Sequence, residues 1–557
     1  MLHDTSSAIG DKTHIQKKAD LDPVVDVTKK FASMPNEPAN DLSNEEEYKS
    51  LASSTTGSFL SSPRHSPVST TTESEEEESN LLEKIAESFT SPLTQENLTI
   101  QSQLLLNDFR RSLGENGISM VPSYNLSPDG SEHGQYLVID LGGSTLRIAV
   151  IDISPDLQRS RSERVHIVLE EKWIISNEYK NIDRNFFKFI GSKIMEILSR
   201  QDLIKSSSLI KTGMTWSFPL ETTSYNSGNI RHVSKGYTLD PEVCGKDLKF
   251  LLESILHDEF GIKIDVRSVM NDSVAVYSAG SFLDDKLILA MVLGTGFNMC
   301  CPLNADAEKM HKTKLIDDKL LFNTELSLFG EDLCDCLGTK YDAMIDKRLQ
   351  NFKHHFKPYT MLDPEDNTAF QPNELLTSGR YLPEISRLIM VDLYNKKELF
   401  SQYTPEELGK ILNVSYDGFE GELMCFVDEN SDYEEINKKF LDCYGWSKPV
   451  EKSDITKIKT ITSFVIKRAA FIVANSIIAF LKLLSEYNTD NNKIEGLITI
   501  GYVGSVLTYF INYRNMVLDY VNTNEEVKKL GCEIKLELIE NSSVIGAAIG
   551  AAFYSKD

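Results

Sequence analysis

The sequence predicts an α/β protein built as two lobes. From about residue 130 onward, apolar runs of strand length alternate with segments of helical period. Three of those strands run into glycine-bearing polar turns: Gly142-Gly143, Gly294-Thr295-Gly296 and Gly501 to Gly504. The length of 557 residues, 41% of them hydrophobic, exceeds what a single compact core organises, so at least two lobes are required.

The elements follow in order. Residues 1–80 lack hydrophobic periodicity and are rich in Ser, Thr, Glu and Pro, with an acidic run from Ser74 to Ser79. Such a segment buries too little apolar surface to offset its ordering entropy, so a disordered acidic tail is expected there. Leu81, Leu82 and Ile85, then Leu98, Leu104, Leu105 and Phe109, mark amphipathic helices separated by Pro92, an N-terminal helical segment over 81–130. Strands are expected over 136–141, 145–153, 209–214, 264–270, 286–293, 495–500 and 534–539. Helices are expected over 184–200, 246–258, 384–394, 463–484, 505–520 and 543–554. The most apolar stretch, 464–484, is interrupted by Lys467, Arg468, Asn475 and Lys482, which suits a core helix better than a membrane span. No internal repeat of short period is visible.

A formal net charge of −25 argues against charge-driven binding of nucleic acid or of an anionic membrane. The eight cysteines form no paired metal-ligand spacing and read as reduced thiols. The N-terminus lacks a basic region followed by an apolar core, so a cytoplasmic protein is expected.

Four segments can carry chemistry. In the first, Asp140 ends a strand, Gly142-Gly143-Ser144-Thr145 turns, and Arg147 lies just inside the returning strand. Backbone N–H groups approach an anion closely where no Cβ intervenes, and a strand-end carboxylate can hold Mg²⁺ through water, so ATP phosphates fit here. In the second, Asn271-Asp272 ends the 264–270 strand; an Asp there can take a proton from a substrate hydroxyl while the amide orients the substrate. In the third, Gly294 and Thr295 offer amides and a hydroxyl to a phosphate. In the fourth, Gly504-Ser505 opens a helix, whose N-terminus favours anions. Between the first two lie Ser217 in Thr215-Trp-Ser-Phe-Pro219 and the run Ser234-Lys235-Gly236, whose lysine can neutralise a transferring phosphoryl group. Taken singly, each is equally a hairpin turn, a capped helix or a solvated lysine.

Their order resembles that of the eukaryotic hexokinase family, from about Leu81 to the C-terminus. The resemblance implies a two-lobed actin-like (hexokinase-type) fold with a cleft: a small lobe over 131–271, a large lobe over 272–544, and a C-terminal helix over 545–557 returning to the small lobe. It implies Asp272 as the base acting on a sugar 6-hydroxyl and Lys235 as the lysine near the reacting oxygen. Ser217, Ser234, Asn271 and Asn298 match sugar-binding positions. Asn323-Thr-Glu325 and Glu374-Leu-Leu-Thr-Ser378-Gly379 resemble segments that make Glu325 and Glu374 sugar-hydroxyl carboxylates. Asp140, Gly142, Gly143, Ser144, Thr145 and Arg147 match the first phosphate segment, with Asp140 on Mg²⁺ through water. Gly294 and Thr295 match the second, and Gly504 and Ser505 the adenosine side. ATP, Mg²⁺ and a small sugar are thus the implied ligands.

Departures are present. Ser144-Thr145 stands where the family has Thr-Asn, Val503 where it has Asp, and Asn541-Ser542-Ser543-Val544 where it has a Gly-Ser-Gly segment. Thr223 and Val233 replace Gln and Trp of the sugar loop. The Asp-Leu-Gly-Gly-Ser-Thr-Leu-Arg and Gly-Tyr-Val-Gly-Ser runs resemble the divergent fungal N-acetylglucosamine kinase branch. The expected activity is therefore ATP-dependent phosphorylation of N-acetylglucosamine. A glucose kinase of the same family and a non-catalytic sugar-sensing regulator are the alternatives.

Overall fold

The computed structural model describes residues 81–200, 209–231, 233, 237–304, 310, 319–351, 356–487 and 494–556. The tail expected over 1–80, and Ser234 and Lys235, lie outside the described residues.

The strands in chain order are β1 (Val121–Leu126), β2 (Gly134–Leu141), β3 (Thr145–Ile153), β4 (Val165–Ile174), β5 (Asn181–Ile182), β6 (Ile210–Trp216), β7 (Leu220–Ser224), β8 (Ser227–Ile230), β9 (Thr238–Leu239), β10 (Ile264–Met270), β11 (Leu287–Leu293), β12 (Phe297–Asn304), β13 (Lys319–Asn323), β14 (Gly496–Val503) and β15 (Cys532–Leu538). They form a five-stranded sheet of order β10-β6-β2-β3-β4 and a six-stranded sheet of order β1-β13-β12-β11-β14-β15, with β5/β9 and β7/β8 as small two-stranded pairs.

The two large sheets share one plan. In the first, β2, β3 and β4 are antiparallel neighbours, and β6 then β10 add in parallel. In the second, β11, β12 and β13 are antiparallel and β14 then β15 add in parallel. Parallel additions need crossover helices. Arg184–Ser199 and Leu248–Phe260 supply them in the first half; Lys452–Tyr487 and then Ile511–Thr523 with Glu525–Leu530 supply them in the second. Each half closes with a helix, Asp272–Leu283 and Ser542–Phe553. The chain is a two-lobed α/β protein in which a β-β-β-α-β-α-β-α unit occurs twice.

Alternation along the strands sorts side chains to two faces. In the first sheet, Leu137, Ile139 and Ile148 meet Phe186, Ile190 and Leu252 of the two crossover helices. Val138, Ala149 and Ile151 on the opposite face meet Val544, Ala547 and Ala551 of the last helix. In the second sheet, Leu289, Met291 and Met299 face the large core around Lys452–Tyr487, while Ala290, Cys300 and Leu321 face the Asp272–Leu283 helix. The two closing helices therefore lie back to back between the sheets. Gly546 makes this possible: a Cβ there would collide with the Ala275 carbonyl.

The Lys452–Tyr487 helix has 36 residues, longer than the expected 463–484 segment. It has the length and apolarity of a membrane span, but 94% of its most apolar window is buried within this protein. The helices Leu81–Thr90 and Gln95–Gly114 pack on it, with Phe89 against Phe464 and Phe109 stacked on Phe480 at 4.3 Å. Two expectations are corrected. The helical segment expected over 81–130 ends at Gly114, and Val121–Leu126 is instead β1, pairing antiparallel with β13 at the edge of the six-stranded sheet. The 505–520 helix is two helices, Ser505–Tyr509 and Ile511–Thr523, broken at Phe510. The break leaves Asn512 N–H to donate to Glu429 Oε1 at 2.8 Å instead of to the preceding turn. All eight cysteines are free.

Candidate active site

Ligand groups in sheets of this kind gather at the carboxyl ends of parallel strands. Register places those ends together: Asp140 is opposite Thr215, Leu141 opposite Trp216, and Met270 opposite Thr215. The Gly142–Thr145 turn, Ser217 and Asn271-Asp272 therefore leave adjoining strands. Ser217 N–H donates to Leu141 O at 3.1 Å, and Gly142 N–H to Thr145 O at 2.9 Å. The Ser144 carbonyl accepts from Ile175 N–H, fixing the turn on the strand side. Gly143 stands half-buried in the same turn.

Asp140 is 7% exposed and heavily engaged. Its Oδ1 accepts from Thr215 Oγ1 at 2.5 Å. Its Oδ2 accepts from Arg147 Nε at 2.7 Å and from Ser543 Oγ at 2.9 Å. Arg147 also bonds Ser543 Oγ and lies 3.5 Å from Glu170. Arg147, expected in the first phosphate segment, is paired with Asp140 across the turn. A carboxylate has about four lone-pair sites, so Oδ1 retains room for one more partner. Ser543 lies in the segment that departs from the family pattern, and it ties the last helix to the phosphate turn.

Below Ser217 sits an aromatic floor. Trp216 meets Phe218 edge-on at 5.4 Å, and Phe218 meets Tyr237 at 4.7 Å. Burial pushes the Tyr237 hydroxyl up to about 12, so it stays protonated at neutral pH. Val233 packs against this core, and Thr223 donates to Ser227 Oγ at 3.0 Å across the β7–β8 hairpin.

The sugar-side residues belong to one hydrogen-bond network. Asn271 caps the helix that Asp272 opens, its Oδ1 accepting from Ser273 N–H and Oγ, both at 2.9 Å. Asp272 Oδ1 accepts from Ser273 N–H at 2.8 Å, and negative charge is favourable in that first turn. Ser273 Oγ reaches Asn323 Oδ1 at 3.4 Å. Asn323 Oδ1 accepts from Asn298 Nδ2 at 2.8 Å, and Asn323 Nδ2 donates to Glu325 Oε1 at 2.7 Å. Asn298 Oδ1 takes the N–H groups of Met299 and Leu326. Glu325 itself is left-handed, φ 48°, ψ 49°, a conformation that costs a non-glycine residue about 1–3 kcal/mol and is held only by surrounding contacts.

Glu374 joins this side to the nucleotide side. Its Oε2 accepts from Phe297 N–H at 3.1 Å, and a Cβ on Gly296 would stand 2.8 Å from the same oxygen. The Gly294–Gly296 turn is held from behind by Gly379 N–H, which donates to Gly294 O at 2.7 Å. Thr295 is exposed at its tip. On its other flank stand Gly504 and Ser505. Gly504 has φ 112°, and any Cβ would strike the Leu293 carbonyl, so the glycine geometry survives beside Val503.

The structure thus unites Asn271, Asp272, Asn298 and Glu325 in one network, sets Glu374 between them and the Gly294 and Gly504 turns, and places the Gly142 turn at the end of the neighbouring sheet. Sequence reasoning missed Thr215, Ser273, Asn323 and Ser543 as members. Thr215, Asn323 and Ser543 stand inside segments already singled out, and Ser273 directly follows Asn271-Asp272.

Comparison with known proteins agrees with this division. The hexokinase family models match residues 81–282 and 288–553, the seam falling between the Asp272–Leu283 helix and β11. N-acetylglucosamine kinase 1 of Candida albicans is 55% identical over 480 residues, 86% of this chain and 95% of that protein. Glucokinase-1 of Saccharomyces cerevisiae is 25% identical over 477 residues, 78% of this chain and 88% of that protein. A hexokinase from Schistosoma mansoni complexed with glucose has the same fold, with a TM-score of 0.67 and 24% identity over 85% of this chain and 99% of that one. Since the two family segments fall on the two structural repeats, and one relative matches along nearly its whole length, this chain belongs to the hexokinase family.

Proposed function

We propose that this protein is an ATP-dependent sugar kinase that transfers the γ-phosphoryl group of MgATP to the 6-hydroxyl of N-acetylglucosamine. The observation that carries the substrate is the 55% identity to the Candida N-acetylglucosamine kinase 1, against 25% for the glucokinase-named relative. Asp272 takes the proton of the 6-hydroxyl as that oxygen attacks phosphorus. Asn271, Asn298, Glu325 and Glu374 hold the sugar hydroxyls, together with Ser217 and Ser234. Lys235 offsets charge on the transferring group. Phosphoryl transfer needs positioning and charge neutralisation more than covalent chemistry.

The backbone amides of the Gly142–Thr145, Gly294-Thr295 and Gly504-Ser505 turns suit the phosphates and the adenosine side. Mg²⁺ bound with ATP supplies further charge neutralisation, and the one lone-pair direction left on Asp140 fits a water of its shell. The eight unpaired cysteines suit a reducing cytoplasm.

The test is ADP release from MgATP with N-acetylglucosamine, glucose, mannose or no sugar. Release is expected with N-acetylglucosamine in clear excess over the others. Equal or better turnover of glucose overturns the substrate; sugar-independent release overturns the kinase.

A second expectation concerns Ser543. Ser543→Ala removes a hydroxyl from the Asp140–Arg147 pair, a hydrogen bond to a charged group worth about 1.5–3 kcal/mol. kcat/KM for ATP is expected to fall by about tenfold or more, with the sugar KM nearly unchanged, as steady-state kinetics in each substrate will show.

A further inference from the structure

We propose that Asn373 is a positioning residue that sets the spacing of Glu325 and Glu374 and anchors both to the long Lys452–Tyr487 helix. The inference rests on the sugar-kinase reading above, in which those two glutamates hold the sugar.

The two carboxylates come from distant segments. Glu325 opens the short turn Leu326–Leu328, and Glu374 lies in the helix Pro372–Thr377. Hydrogen bonds from Asn373 and Gln371 join these segments. Its backbone N–H donates to Phe329 O at 3.0 Å. Its side-chain Nδ2 donates to Leu326 O at 3.4 Å. Gln371 Nε2 adds a bond to Ser327 Oγ at 3.1 Å.

The same Nδ2 also donates to Ser476 Oγ at 3.4 Å, and Ser476 lies in the middle of the long helix, bonded in turn to Ile472 O. Asn373 and Ser476 are both wholly buried. Burying an amide is costly unless its polar atoms find partners; here the two hydrogens of Nδ2 have one acceptor each, and Oδ1 finds no partner among the described residues.

The consequence for Glu325 is direct. The residue following it is held at both of its backbone polar groups: Leu326 N–H donates to Asn298 Oδ1 at 3.3 Å, and Leu326 C=O accepts from Asn373 Nδ2. That grip opposes relaxation of the left-handed backbone at Glu325, which aims its carboxylate. Glu374 is the next residue after Asn373, so any shift of the amide moves both carboxylates relative to each other. Asn373 itself is turned into the core and acts only through them.

The test uses Asn373→Leu, which keeps volume and removes the donor, and Ser476→Ala, which removes the anchor alone. N-acetylglucosamine binding is measured by calorimetry, and KM is measured for each substrate. For Asn373→Leu the sugar Kd and KM are expected to rise about tenfold while the ATP KM stays within about twofold, because only the sugar carboxylates depend on the amide. Ser476→Ala is expected to move the sugar constants the same way by about threefold, and it stands as the test if Asn373→Leu does not fold. Unchanged sugar binding in the folded variants, or equal shifts in both KM values, overturns the positioning role. Absence of sugar binding by the unaltered protein overturns the kinase reading and this inference with it, which separates the two failures.

Discussion

Replacing Asp272 by Ala or Asn is expected to lower kcat for sugar-dependent ADP release by about 10²–10⁴-fold, the range that a general base supplies, with N-acetylglucosamine binding kept within a few-fold. The site geometry says why this residue and no neighbouring carboxylate. Glu325 accepts from the Asn323 amide and Glu374 from the Phe297 N–H, contacts that fix their orientation, and both are proposed above to hold sugar hydroxyls. Asp140 is neutralised by Arg147. Asp272 stands half-buried at the carboxyl end of β10, in the first helical turn and beside Asn271, with β6 between it and β2. The Asn variant is the sharper of the two. It keeps the size of the side chain and an oxygen to accept from Ser273 N–H, and loses only basicity. Binding should therefore survive while transfer collapses. Activity above a few per cent of the unaltered protein in either variant would remove Asp272 from the role of base.

How much of this was legible in the sequence depends on the range of the contacts. The 264–270 strand matches β10 to the residue, and the 145–153 strand matches β3, because both are apolar, β-branched and bounded by turn residues. β13 is only five residues long and β4 carries Glu170-Glu171-Lys172 at a sheet edge, so neither has the pattern of a half-buried strand. Asn323 lies at the end of β13 beside Glu325, and its bonds to Ser273 and Asn298 span 50 and 25 residues, beyond what local spacing marks. Ser543 bonds Asp140 across 403 residues, and no local spacing can mark such a contact. Arg147 shows a contact of shorter range: Asp140 faces it directly across the β2–β3 pair, and its guanidinium pairs with that carboxylate. The 505–520 segment has the apolar spacing of one helix, but the chain breaks at Phe510, where the freed Asn512 N–H bonds Glu429. The duplication of the fold leaves no short-period trace, since topology repeats here without the side chains repeating.

Arg468→Ala is expected to destabilise the protein by about 3–5 kcal/mol, more than any surface change, because it strips the partner from a fully buried charge. Arg468 and Asp342 are both 0% exposed and paired twice, at 2.7 and 2.8 Å. The guanidinium also donates to Leu337 O at 3.0 Å and lies 4.4 Å from the Phe89 ring, so it holds the Leu81–Thr90 helix against the core as well. Asp342 Oδ2 further accepts from Thr339 N–H and Oγ1, capping its own helix. Removing Arg468 leaves that carboxylate uncompensated in an apolar core. Removing both charges does not: a double replacement Arg468→Met with Asp342→Leu loses the pair and its desolvation cost together, and forfeits mainly the cap, worth about 1 kcal/mol. The double variant should therefore melt closer to the unaltered protein than Arg468→Ala does, a non-additivity that urea and thermal unfolding of the variants will measure. Arg468→Lys should lie nearer to Ala than to Arg, since an ammonium cannot make the two parallel bonds to Asp342 and still reach Leu337 O. A single variant no less stable than the double would mean that the pair is solvated in solution, and that the long helix carrying it, together with the Ser476 anchor eight residues further on, is held by apolar packing alone.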